Sequence, residues 1–180
     1  VRYTDEDEAI NIPARLAELA AYLKEETERL GLPMPRFLME PGRSIVADAG
    51  MTLYTVGSVK RIPGYKQYAA VDGGMTDNPR YALYQSRYTV YHAHKSGSME
   101  RFDVVGRCCE SGDIIQPGVE LPGDTCRGDI LAVCTTGAYN YSMASNYNRL
   151  PRPAVVMLTP DRIYEAVRRE TFADLTGLDL

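Results

Sequence analysis

The chain has 180 residues, 44% hydrophobic and 24% charged, ordinary globular usage that excludes disordered and fibrous classes. Its formal net charge of −4 predicts no generic affinity for nucleic acid or for an anionic membrane surface. No apolar run is long enough to span a bilayer, and no basic-then-apolar leader opens the chain, so a cytoplasmic protein is expected.

The chain opens on Val1 rather than methionine, which predicts a piece of something longer. Thr4-Asp5-Glu6-Asp7 reads as a helix start, with acidic residues favoured near the positive end of the dipole. Ile12, Leu16, Leu19, Ala20, Leu23 and Leu30 recur at helical spacing, which predicts a helix over about 13–30 closed by Gly31 and Pro33. Arg36-Phe37-Leu38-Met39 predicts a buried strand opening into the loop Glu40-Pro41-Gly42-Arg43-Ser44. A helix followed by such a strand is what a repeating βα unit leaves behind. A short helix over Ile45–Asp48 is expected next.

After Gly50 the texture changes. Short runs rich in Val, Ile, Tyr and Thr follow at 51–59, 67–71, 88–94, 102–108, 113–115 and 130–134, separated by Gly, Pro and Asp. Runs at 154–158 and 163–168 predict a further hairpin around Thr159-Pro160-Asp161. Residues 50–170 therefore read as a β-sandwich or β-barrel with little helix except near Arg80–Tyr84.

Cys108, Cys109, Cys126 and Cys134 show no C-x-x-C spacing, and free thiols are expected. His92 and His94 would share one face of a strand. No third ligand stands nearby, which favours partly exposed strand histidines over a metal pair. The lysines are only four, at 24, 60, 66 and 95.

Four polar segments are candidates for chemistry. Glu40 to Ser44 offers glycine backbone and an arginine fork to an anion, or is a plain strand-end turn. Asp72 to Arg80 is a turn-dense interruption of two strands, with Arg80 and Tyr84 on one face of a helical turn; an ordinary β-connection would look similar. Cys109-Glu110-Ser111-Gly112-Asp113 sets a thiol beside a carboxylate, either a proton donor or nucleophile or a small buried hydrophobe. Gly137 to Asn148 carries three tyrosines and three asparagines among small residues. Tyrosine hydroxyls can donate to phosphate, which sets it apart from a generic surface loop.

Taken in this order, Glu40-Pro41-Gly42-Arg43, Asp72-Gly73-Gly74-Met75, Ala82-Leu83-Tyr84, Cys109 to Asp113 and Ser142 to Asn148 resemble the diaminopimelate decarboxylase family. These are fold-type III enzymes that use pyridoxal 5'-phosphate. The resemblance covers essentially the whole chain. It implies an α+β, mainly β fold. Residues 1–45 would be the last helix and strand of a (β/α)8 barrel, and 46–180 a C-terminal Greek-key β-barrel or β-sandwich domain.

The resemblance also implies roles. Glu40, Pro41, Gly42, Arg43 and Tyr139 would hold the cofactor. Arg43, Arg80, Tyr84, Glu110 and Tyr139 would hold the substrate, meso-diaminopimelate, with Glu110 on its distal ammonium. Cys109 would reprotonate the carbon left when carbon dioxide departs, giving lysine. The Cys-Glu pair would serve the partner's site, implying a homodimer with shared active sites. No metal, nucleic-acid or membrane partner is implied. The related ornithine-type decarboxylases typically carry Cys-Asp where this chain has Cys109-Glu110, which favours diaminopimelate over the alternative of an ornithine- or arginine-type basic amino-acid decarboxylase. A non-catalytic β-domain that only dimerises is the alternative from another class. None of the four lysines stands where the family places its Schiff-base lysine, so these 180 residues alone are expected to be inactive.

Overall fold

The computed structural model describes residues 2–180; Val1 lies outside them. The first long element is α1 (Ile12–Leu30). Asn11 caps it by accepting a hydrogen bond from the Ala14 amide at 3.1 Å. Gly31 closes it at φ 63°, and Gly31 and Leu32 donate their amides back to Glu28 and Thr27. No residue of α1 is buried. Its apolar stripe, including Ile12, Leu16 and Leu19, is exposed.

Two expectations for this end of the chain are corrected. Thr4–Asp7 is a turn rather than a helix start: the Asp7 carboxylate accepts the amides of Tyr3 and Thr4 at 2.9 Å, pulling it back over the residues that precede it. Phe37, Leu38 and Met39 are exposed and join no sheet. A strand needs a neighbour to bury its faces, and none is present among the described residues.

The chain then turns through the short helix α2 (Arg43–Val46) into β1 (Met51–Ile62) and β2 (Lys66–Val71). The helix α3 (Arg80–Tyr84) precedes β3 (Val90–His92), β4 (Met99–Val105), β5 (Ile114–Pro122) and β6 (Ile130–Cys134). These six strands form one sheet in the order β3-β6-β1-β2-β4-β5. All pairs are antiparallel except β2 with β4. The end strands β3 and β5 approach each other, so the sheet nearly closes on itself. The fold is thus mainly β with few helices, as the chain's texture predicts.

Alternation fills the interior. Tyr54 and Val56 of β1, Ala69 and Val71 of β2, Phe102 and Val104 of β4, and Leu131 and Val133 of β6 all point inward. Registers align them: Tyr54 faces Leu131, Val56 faces Val71, and Ala69 faces Val104. Each large apolar side chain buried this way contributes about 1.5–3 kcal/mol. Ala47, just after α2, is fully buried and accepts the Gly137 amide, tying the helix to the loop after β6.

Three further differences from sequence expectation have local causes. β5 runs on to Pro122 through Pro117 and Gly118, residues that normally end a strand. Gly118 takes φ 68° there, and the register between β4 and β5 shifts beside it. β3 stops at His92, so His94 lies beyond the strand. His92 is partly exposed, as expected, but through its backbone alone. Its side chain is 2% exposed and its Nε2 sits 3.0 Å from Asp129 Oδ2. Finally, β7 (Val155–Leu158) and β8 (Ile163–Val167) form the expected separate hairpin, followed by α4 (Phe172–Thr176), which a Thr171–Asp174 capping box starts.

Candidate active site

Two groups of polar side chains gather at the loops, and the segment 139–148 runs between them. The first is built on two arginines. Arg43 opens α2, and Arg80 opens α3. The Arg43 guanidinium lies over the Tyr3 ring at 4.3 Å and over the Tyr139 ring at 5.1 Å. The Arg80 guanidinium lies over Tyr84 at 4.4 Å and over Tyr139 at 5.7 Å. Tyr139 thus sits between two cations, and its own backbone takes φ 67°. Arg80 Nη2 also donates to the Tyr3 hydroxyl at 3.5 Å.

The backbone allows this approach at two glycines. A Cβ on Gly42 would stand 2.1 Å from the Tyr139 hydroxyl. A Cβ on Gly137 would stand 2.0 Å from the Val46 carbonyl oxygen, so the loop after β6 presses directly on α2.

The arginine pair is under-satisfied. Arg43 Nη1 and Arg80 Nε are buried with no hydrogen-bond partner among the described residues, and so are the Tyr88 hydroxyl and both polar atoms of Asn140. Buried polar groups are normally paired, so an unpaired set of this kind marks a place for a ligand. Burial pushes the Tyr88 hydroxyl pKa up, while nearby Arg80, Asn140 and Arg43 ease it. Two guanidiniums among tyrosine hydroxyls fit an anionic group, a carboxylate or a phosphate.

The second group lies in the loop between β4 and β5. Cys108 is half-buried, whereas Cys109 is exposed. Burial and the Asp113 carboxylate push the Cys108 thiol up to about 11, so it stays protonated. Glu110 is exposed at the loop tip, and the Tyr147 hydroxyl donates to its Oε2 at 3.3 Å. Burial and neighbouring carboxylates act on the adjoining turn as well. The Asp77 carboxyl there is raised by burial although Tyr54 and the Gly74 amide hydrogen-bond to it.

The segment 139–148 is fixed near its C-terminal end. The Ser145 amide donates to the Thr76 carbonyl at 2.8 Å, and the Asn146 side chain donates to Glu170 at 2.7 Å. Glu170 is also gripped by Arg152, whose Nε donates to it at 2.7 Å. That guanidinium, together with the Arg152 amide, holds the Glu170 carboxyl down to about 2 from its ordinary 4.5. The sign follows directly: the stability this carboxylate lends is complete above pH 4.5 and is lost as pH falls toward 2. Glu170→Gln should lower stability at neutral pH, and the gap to the parent should close across that acid window in circular-dichroism unfolding.

The sequence-predicted residues divide accordingly. The structure brings Gly42, Arg43, Arg80, Tyr84 and Tyr139 together. Glu40 and Pro41 stand exposed just before α2. Cys109 and Glu110 belong to the other group, and among the described residues no hydrogen bond or ion pair joins them to Arg43 or Arg80. Asn140 joins the arginine group from the Gly137–Asn148 segment that the sequence singles out, whereas Tyr3, just before the predicted helix start, and Tyr88, in a predicted strand, join it without a signal in the sequence. An open hollow of about 780 Å³ beside Arg61, Lys66 and Arg101 lies elsewhere. Two of its cationic side chains already have partners, Lys66 on Asp103 at 2.6 Å and Arg61 on the Gly123 carbonyl at 2.6 Å.

Comparison with known proteins identifies the family. The family described as pyridoxal-dependent decarboxylase, C-terminal sheet domain, matches residues 16–137. The chain is 48% identical to diaminopimelate decarboxylase of Bacillus subtilis over 182 residues, covering all of this chain and 41% of that protein. It is 40% identical to the Staphylococcus aureus enzyme of that name, covering 97% of this chain and 42% of that protein. The crystal structure of diaminopimelate decarboxylase from M. jannaschii superposes with a TM-score of 0.87 at 30% identity, covering all of this chain and 41% of that one. The chain therefore spans about two-fifths of these relatives, and by its sheet domain it belongs to the pyridoxal-dependent decarboxylases.

Proposed function

We propose that this chain supplies the C-terminal part of a diaminopimelate decarboxylase, which removes carbon dioxide from meso-diaminopimelate to give lysine. Residues 1–45 would then belong to the barrel and 46–180 to the sheet domain. The bare apolar stripe of α1 and the unpaired Phe37–Met39 support that division, since both have the character of surfaces made to be covered. The observation that carries the function is the arginine pair: Arg43 Nη1 and Arg80 Nε buried, unpaired and arranged around Tyr139.

Bound pyridoxal phosphate supplies an electron sink for the bond that breaks. The chain's own residues do the rest. Gly42, Arg43 and Tyr139 grip the cofactor's anionic end. Arg80, with Arg43 and flanked by Tyr84, holds a substrate carboxylate by charge-assisted hydrogen bonds. Glu110, steadied by Tyr147, takes the ammonium at the far end. Cys109 delivers a proton from its thiol to the carbon that has lost carbon dioxide, and the thiolate recovers the proton from solvent. The separation of Cys109 and Glu110 from the arginine pair within one chain supports a homodimer in which each pair completes the partner's site.

The 180 residues alone should show no turnover with pyridoxal phosphate and diaminopimelate. Lys66 and Lys95 are tied to Asp103 and Asp129, at 2.6 and 2.8 Å, and neither borders the arginine group. The full-length protein should release carbon dioxide and lysine in equal amounts. Lysine formation by the 180 residues above the cofactor-only background would refute the assignment of the missing anchor, and no lysine from the full-length protein would refute the activity.

A further inference from the structure

We infer that Asp113 is a positioning residue that fixes where Cys109 and Glu110 stand on the sheet domain, and so how they meet the partner's site, by tying their loop to the turn after β2. The inference rests on the reading above, in which Cys109 is the proton donor.

Asp113 is 4% exposed and makes no ion pair among the described residues. Its carboxylate is instead divided between two loops. Oδ2 accepts the Cys108 amide at 2.6 Å, immediately before the Cys109–Glu110 tip. Oδ1 accepts the Met75 amide at 2.6 Å in the turn after β2. The Asp113 amide donates to the Glu110 carbonyl at 3.1 Å, and its carbonyl accepts the Gly106 amide at 2.9 Å. One residue therefore fixes the base of the tip from both ends and joins it to a second loop.

Both loops make room for that carboxylate. A Cβ on Gly74 would lie 2.4 Å from Oδ1, and one on Gly106 would lie 2.2 Å from Oδ2. The second loop leads onward to the arginine group, because the Gly74 carbonyl accepts the amides of Asp77 and Asn78 at 3.1 and 2.8 Å, just before Arg80. A role in stability alone would not require a charge here, since a dry carboxylate is costly to bury unless its bonds are good. What the charge adds is two short bonds to backbone N–H groups, which fix both loops tightly. A proton donor needs that, because misplacement by about 1 Å costs roughly 100-fold in rate.

The test is a double-mutant cycle in the full-length holoenzyme with Asp113→Asn, which keeps shape and one acceptor, and Cys109→Ala. Asp113→Asn alone should lower kcat roughly 10- to 100-fold. On the Cys109→Ala background it should change kcat by less than about threefold, since no donor is left to misplace. Hydrogen exchange should quicken more than about tenfold at the Cys108 and Met75 amides while Phe102 and Leu131 keep their rates. Equal losses on both backgrounds, or unchanged exchange at those amides, would overturn the inference. Wild-type kcat in Cys109→Ala alone would overturn the proton-donor reading first, and this inference with it. If Asp113→Asn does not fold, Gly106→Ala crowds the same oxygen and reads the same cycle.

Discussion

Cys109→Ala in the full-length protein should lower kcat by roughly 10²- to 10⁴-fold, the range a positioned general acid contributes. KM for diaminopimelate should change little, because the groups that bind both ends of the substrate stay in place. Its neighbour provides the contrast. Cys108 is turned inward, and burial beside Asp113 keeps its thiol protonated with a pKa of about 11. A thiol held that high is a poor reporter of pH and faces the protein, so Cys108→Ala should leave kcat within about threefold. Steady-state assay of released carbon dioxide separates the two. An equal loss in both variants would mean that the loop, and not the Cys109 thiol, is what the reaction needs.

That contrast was only half legible in the sequence. The Cys-Cys-Glu order was plain, but which thiol faces outward depends on Asp113 accepting the Cys108 amide, a contact across the loop that no periodicity encodes. Strands with clean alternation, such as those around Leu131 and Val133, were readable, because one buried face imposes a period of two. β5 was not, because Pro117 and Gly118 serve a bulge within a strand and look like its end. The stretch at Phe37–Met39 reads as a buried strand for a sound reason, its apolar content, but burial is a property of the neighbour, and no described residue supplies one. In the site, Arg43, Arg80 and Tyr139 could be named from motif order. Tyr3 and Tyr88 could not, since the sequence places them far from one another and the fold brings their rings to 5.8 Å.

Arg80→Met distinguishes a ligand-holding arginine from a structural one. A structural arginine leaves an orphaned partner when removed, and breaking such a buried pair costs about 3–5 kcal/mol of stability. Arg80 has no carboxylate partner among the described residues, and its Nε is buried without an acceptor. Losing it removes a desolvation penalty of about 1–3 kcal/mol. Against that stand the contacts with Tyr84 and Tyr139. Both rings are substantially exposed, at 60% and 44%, so these contacts belong at the weak end, about 0.5–1 kcal/mol each. The two effects nearly cancel, and methionine keeps the apolar stem beside Met143. Urea unfolding of the substrate-free protein should therefore shift by less than about 1 kcal/mol. Binding should not be spared. Truncating one side of a buried charged contact costs about 2–5 kcal/mol, so KM for diaminopimelate should rise roughly 30-fold or more. Stability held constant while KM climbs is the behaviour of an arginine kept unpaired for a ligand. A large loss of stability with KM unchanged would instead make Arg80 part of the scaffold and remove the carboxylate site from this end of the sheet.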